Sequence, residues 1–134
     1  MTAATGLDTN VALRWLVSSP DDAAQAERAG RAILGIDGPL YINTVVLAEI
    51  VWLMSQSMKL DRAAQAATIR RLLNNPTVQV AQRDQVAAAL QSFETGGAGF
   101  TDHLIAALNR SAGCSTTLTF DKSAARSPEF TLLA

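Results

Sequence analysis

Leu40-Tyr41-Ile42-Asn43-Thr44-Val45-Val46-Leu47-Ala48-Glu49-Ile50-Val51-Trp52-Leu53-Met54 is the stretch that decides the fold class. A short apolar run, Leu40 to Ile42, reads as a strand. Thr44 can then cap a helix from Val45 to about Gln56. A strand followed at once by a helix is the unit from which parallel sheets are built, because parallel strands need a long crossover between them.

The same alternation extends in both directions. Upstream, Ala3 to Leu7 form a weak strand ending at Asp8, and Asn10 to Val17 carry one or two helical turns. Ser19-Pro20-Asp21 predicts a helix start with Ser19 as cap, running to about Leu34, where Gly35, Gly38 and Pro39 punctuate its end. Downstream, Asp61 caps a helix carrying Ile69, Leu72 and Leu73, stopped by Asn74-Asn75-Pro76. Val78-Gln79-Val80 alternates like a strand, and Asp84 to Phe93 form an Ala-rich helix. Gly96-Gly97-Ala98-Gly99 precede a helix from Asp102 to about Ala112, with Thr101 as the expected cap and Gly113 as its end. Thr116 to Phe120 are β-prone and run into Asp121, and Phe130 to Leu133 predict a last edge strand. The reading is one α/β domain over residues 1–134, without repeats or linkers.

Bulk properties bound the function. The 134 residues are 49% hydrophobic with a formal charge of −1, so no global charge draws the chain to nucleic acid or membrane. One cysteine excludes an internal disulfide and suits a reducing cytoplasm. Met1 to Gly6 lack the basic start of a signal peptide, and Val45 to Met54 are too short to span a bilayer.

Four acids stand out. Glu49 has Val45, Val46, Trp52 and Leu53 at one-turn spacing, an apolar wall in which a buried carboxylate is costly without a partner. Either a distant arginine or a cation is expected to answer it. Asp8 and Asp121 each follow a strand, at the edge where open parallel sheets bind ligands. If the two strands are neighbours, their carboxylates lie about 5 Å apart and repel unless a divalent cation sits between them. Asp102 opens a helix, where its charge suits the helix dipole. Oxygen donors without a Cys or His cluster favour Mg2+ or Mn2+ over zinc. Trp15 and Trp52, on apolar helical surroundings, are expected in the core or a subunit interface.

In order, Leu7-Asp8-Thr9-Asn10-Val11, Leu47-Ala48-Glu49, Phe100-Thr101-Asp102-His103-Leu104-Ile105-Ala106 and Thr119-Phe120-Asp121-Lys122 resemble the motifs of the PIN-domain ribonucleases, most nearly the VapC-type toxins of bacterial toxin–antitoxin pairs. The resemblance spans essentially the whole chain. It implies a three-layer α/β/α domain around a mostly parallel five-stranded sheet. It also implies Mg2+ or Mn2+ held by Asp8, Glu49, Asp102 and Asp121, an RNA substrate, a small VapB-like antitoxin, a homodimer and no membrane. Asn10 matches a polar residue supporting the first aspartate, and Thr119 a hydroxyl that orders a metal-bound water. Gly99 departs from the pattern, since many relatives carry another aspartate there, so one metal is expected and a second is open. Arg14, His103, Lys122 and Arg126 are the candidates for substrate contact, with a packing role the alternative for His103. A PIN domain without catalysis, serving as a binding module, is the alternative function. A receiver domain fits poorly, since the first strand offers one acid and Glu49 lies inside a helix.

Overall fold

The computed structural model describes residues 3–17 and 20–133. The chain divides into two compact units, Met1–Ala81 and Gln82–Ala134.

The first unit runs β1 (Thr5–Gly6), α1 (Thr9–Leu16), a 3-10 turn (Pro20–Asp22), α2 (Ala23–Leu34), β2 (Leu40–Ile42), α3 (Thr44–Gln56), α4 (Arg62–Asn74) and β3 (Val78–Val80). Its three strands pair in parallel in the order β1-β2-β3, with Thr5 opposite Leu40 and Leu40 opposite Val78. Each return to a parallel neighbour is made by two helices, the crossover that parallel pairing requires. The alternation of β2 buries Leu40 and Ile42 and leaves Tyr41 exposed. The same unit buries Leu13 of α1, Val46, Leu47, Ile50 and Met54 of α3, and Ile69 and Leu72 of α4.

The second unit runs α5 (Arg83–Glu94), α6 (Phe100–Ser111), β4 (Thr117–Thr119), a 3-10 turn (Ala124–Arg126) and β5 (Phe130–Leu132). β4 and β5 pair in parallel, Thr117 opposite Phe130 and Thr119 opposite Leu132. The core joins α5 to α6 through Val86, Leu90, Phe93, Phe100 and Leu104. Phe93 and Phe100 meet edge to face, centroids 5.9 Å apart and planes at 88°, the arrangement their ring quadrupoles favour. Gly113 closes α6 at φ +99°, a conformation that L side chains rarely adopt. The five strands and the parallel α/β character are as the sequence predicts; the recorded ladders are one of three strands and one of two.

Three helix starts differ from expectation, each for a local reason. α3 is capped by Asn43, whose extended backbone lets its side-chain oxygen accept the Val46 N–H at 2.8 Å, so Thr44 is already helical. α6 is capped by Gly99, with Thr101 inside the helix. α2 begins its α-turns at Ala23 after a 3-10 turn; Asp22, whose backbone is not extended (φ −123°, ψ 25°), gives it no side-chain cap, and its Oδ2 pairs with Arg14 at 3.2 Å. The expected cap Ser19 lies outside the described residues.

Candidate active site

In the first unit the site begins where β1 gives way to α1. Asp8 is the N-cap of α1: its backbone is extended (φ −77°, ψ 161°) and its Oδ1 accepts the Thr9 N–H at 2.7 Å. Thr9 is buried, and its hydroxyl donates to Glu49 Oε1 at 3.0 Å. One residue thus holds both carboxylates, Asp8 through its amide and Glu49 through its hydroxyl. Asp8 Oδ2 and Glu49 Oε2 have no partner among the described residues. Asn10, expected to support Asp8, makes no such bond among the described residues; Thr9 does that work. The signal was present, a hydroxyl directly after the strand-end acid, but its partner lay forty residues away.

Glu49 corrects the sequence reading in another way. It is exposed, not buried, and among the described residues no arginine answers it. The buried stripe of α3 is Val46, Leu47, Ile50, Val51 and Met54. Glu49 lies on the opposite face with Val45 (68% exposed) and Trp52 (60% exposed). A helix apolar on nearly all sides does not announce its buried stripe, so the apolar neighbours of Glu49 were mistaken for a wall. Trp52 is accordingly not a core residue, and Trp15 is half-buried.

In the second unit Asp102 lies in the first turn of α6, close to the Gly99 amide at the helix start. Partial burial, and then the charge of Asp121, raise the Asp102 pKa above the usual aspartate range; the Gly99 amide and His103 oppose the rise. Repulsion of this kind places Asp121 within electrostatic reach of Asp102. Asp121 follows β4 in a turn of its own making. Its Oδ1 accepts the Ser123 N–H at 2.8 Å, its carbonyl accepts the Ala125 N–H at 3.0 Å, and its own N–H donates to Thr119 Oγ1 at 3.0 Å. The Thr119 oxygen therefore fixes the backbone of Asp121. Lys122 and Arg126 are exposed on that same turn.

His103 is 3% exposed, and its Nε2 donates to the Gly96 carbonyl at 3.2 Å. Its ring packs against Phe93 at 6.4 Å between centroids. Its burial and its ring contact are those of a packing residue. Arg14 is tied by Nε to Gln25 at 3.1 Å and by Nη2 to Asp22 at 3.2 Å.

Each unit therefore offers a pair of carboxylates, and within either unit no third His, Cys, Asp or Glu joins the pair among the described residues. Paired carboxylate oxygens without thiolate or imidazole suit a hard cation, which commonly takes one or two carboxylates and keeps several waters.

A family model for the PIN domain matches residues 7–129, and the chain belongs to the PIN domain family, whose members are generally nucleases. Among the curated proteins no match is found. No helix among the described residues is long and apolar enough to cross a membrane.

Proposed function

We propose that this PIN domain is a Mg2+- or Mn2+-dependent endoribonuclease, one domain over residues 1–134, acting as the toxin of a VapBC-type pair. The observation that carries the reading is the pairing of Asp8 with Glu49 on Thr9, one held through the Thr9 amide and the other through its hydroxyl. Carboxylates gathered in this way offer the hard oxygen donors that such a cation takes.

Asp8, Asp102 and Asp121 are the proposed metal ligands, with Glu49 either a further ligand or the group that orients the attacking water. The metal, when bound, supplies positive charge against the phosphate and lowers the pKa of a water. The remaining work belongs to the chain. Thr9 and Thr119 hold Asp8, Glu49 and Asp121 in place, while Lys122 and Arg126 offer cations to phosphate beside Asp121. The proposed setting is a cytoplasmic homodimer restrained by a small VapB-like antitoxin.

The test is incubation of the purified protein with a panel of RNAs in Mg2+, Mn2+ or EDTA, beside Asp8→Asn. Cleavage is expected only with metal and only in the wild type. Cleavage that persists in EDTA or in the variant would exclude the metal-dependent reading. Failure to cut any RNA would leave the binding module as the better description.

A further inference from the structure

The first unit contains a cleft of about 450 Å³ between α1 and α2 that the paired acids do not explain. Arg14 ties the last turn of α1 to the beginning of α2, so α2 returns along α1 toward the Asp8 end. Asn10 lines the cleft two residues after Asp8, buried Ala29 with Val11 and Ala32 supplies its apolar lining, and Arg14, Gln25 and Arg28 supply further polar groups. No carboxylate lines it among the described residues. Asp22, which holds Arg14, lies outside that lining and leaves Arg14 Nη1 without a partner among the described residues.

Arg28 is the informative residue. It is exposed, and among the described residues it makes no hydrogen bond or ion pair. Arg31, one turn further along α2, is paired with Glu27 and does not line the cleft. Guanidinium donors beside a small apolar lining suit a phosphodiester, whose oxygens accept paired N–H groups. Arg14 stands six residues beyond Asp8, about 9 Å along the helix axis, so a strand in the cleft runs close to the first acid.

We infer that the α1/α2 cleft binds the phosphate backbone of the RNA substrate next to the scissile bond, with Arg28 and Arg14 as the residues that grip it. The inference rests on the ribonuclease reading and names the path its substrate takes. Arg28 is a positioning residue: it fixes the strand and touches no reacting atom.

The test compares wild type, Arg28→Ala, Arg28→Lys and Arg31→Ala for binding and cutting a short fluorescein-labelled single-stranded RNA over a range of KCl. Alanine favours helix and Arg28 is exposed, so the fold is expected to hold, and thermal melting confirms it. Arg28→Ala is expected to weaken binding roughly three- to tenfold and to flatten the slope of log affinity against log salt by about 0.7, the loss of one phosphate contact on a single strand. KM rises accordingly while kcat holds. Arg28→Lys recovers most of the slope, and Arg31→Ala leaves binding unchanged.

Equal weakening by Arg31→Ala would reduce the effect to general charge and overturn the inference. Wild type that binds and cuts RNA while Arg28→Ala matches it overturns the inference and leaves the ribonuclease reading standing. Wild type that binds no RNA overturns both. Displacement of the RNA by oligoglutamate, with the same dependence on Arg28, would assign the cleft to an acidic peptide and overturn it as well.

Discussion

Thr9 commits both of its donors to carboxylates, and that makes it the residue on which the first half of the site turns. Thr9→Val keeps the shape and the amide bond to Asp8 but releases Glu49. Valine leaves no buried polar atom unpaired, so the fold is expected to survive. Loss of a group that orients a metal ligand typically costs 10- to 100-fold in metal affinity or activity, and about that loss is expected here. Thr9→Ser restores the hydroxyl and most of the activity. Mg2+ titration of RNA cleavage measures both, and a valine variant with wild-type metal dependence would contradict the assignment. Asp102 makes a second prediction at this scale. Burial and then Asp121 raise its pKa, so in metal-free protein the folded state binds this proton more tightly than the unfolded chain does. Stability from this group therefore falls as pH rises from the ordinary aspartate range through the raised value, and it is lowest at neutral pH. Asp102→Asn removes the titration. In EDTA the variant is expected to be the more stable at neutral pH, with the gap closing as pH falls through that window. Urea midpoints against pH check the sign, and a gap that widens toward acid would refute it.

Elements are placed here by short signals, and α6 shows what one missing side chain does to an element. Gly99 caps it at φ −69° and ψ 165°, an ordinary cap conformation, and a Cβ built there meets nothing within 4 Å. Gly99→Asp should therefore fit. Aspartate is a better N-cap than glycine by a few tenths of a kcal/mol, and its charge suits the helix start. Asp102 already occupies that first turn and opposes the gain by like-charge repulsion. The thermal midpoint is accordingly expected to rise little in EDTA and distinctly more in Mg2+, where a cation relieves the repulsion. Equal shifts in the two buffers would show that the new carboxylate acts on the helix alone. Strand and helix identities were legible in the sequence: β2 and β3 fall on the predicted residues, and α4 starts at its predicted cap, Asp61, which accepts the Ala64 N–H. Caps were less legible at α3 and α6, because Asn43 and Thr44 are both competent and only the backbone conformation chooses between them. The acids at strand ends could be read from position, but the exposure of Glu49 and the burial of His103 could not. Both depend on which face of a helix meets the core, and an almost wholly apolar α3 hides that choice.

For the molecule as a whole, the formal charge of −1 joins two opposing contributions. Removing four negative charges, those of Asp8, Glu49, Asp102 and Asp121, leaves +3 on everything else. Each acid pair is thus a source of negative potential in an otherwise mildly basic chain, and a polyanion approaching either pair without metal is repelled. The variant carrying Asp8→Asn, Glu49→Gln, Asp102→Asn and Asp121→Asn keeps the shapes and removes the charges. It is expected to cut nothing, yet in EDTA to bind single-stranded RNA more tightly than the wild type, roughly tenfold at low salt. The advantage should shrink as KCl rises, because screening at 0.1 M confines such effects to about 10 Å. In Mg2+ the wild type should recover affinity and the variant should not, since only the wild type has carboxylates for the cation to neutralise. Fluorescence anisotropy with and without Mg2+ measures all of this on one probe. If the neutral variant binds RNA no better than the wild type in EDTA, the acids do not oppose the substrate, and the need for a metal at this site loses its electrostatic basis.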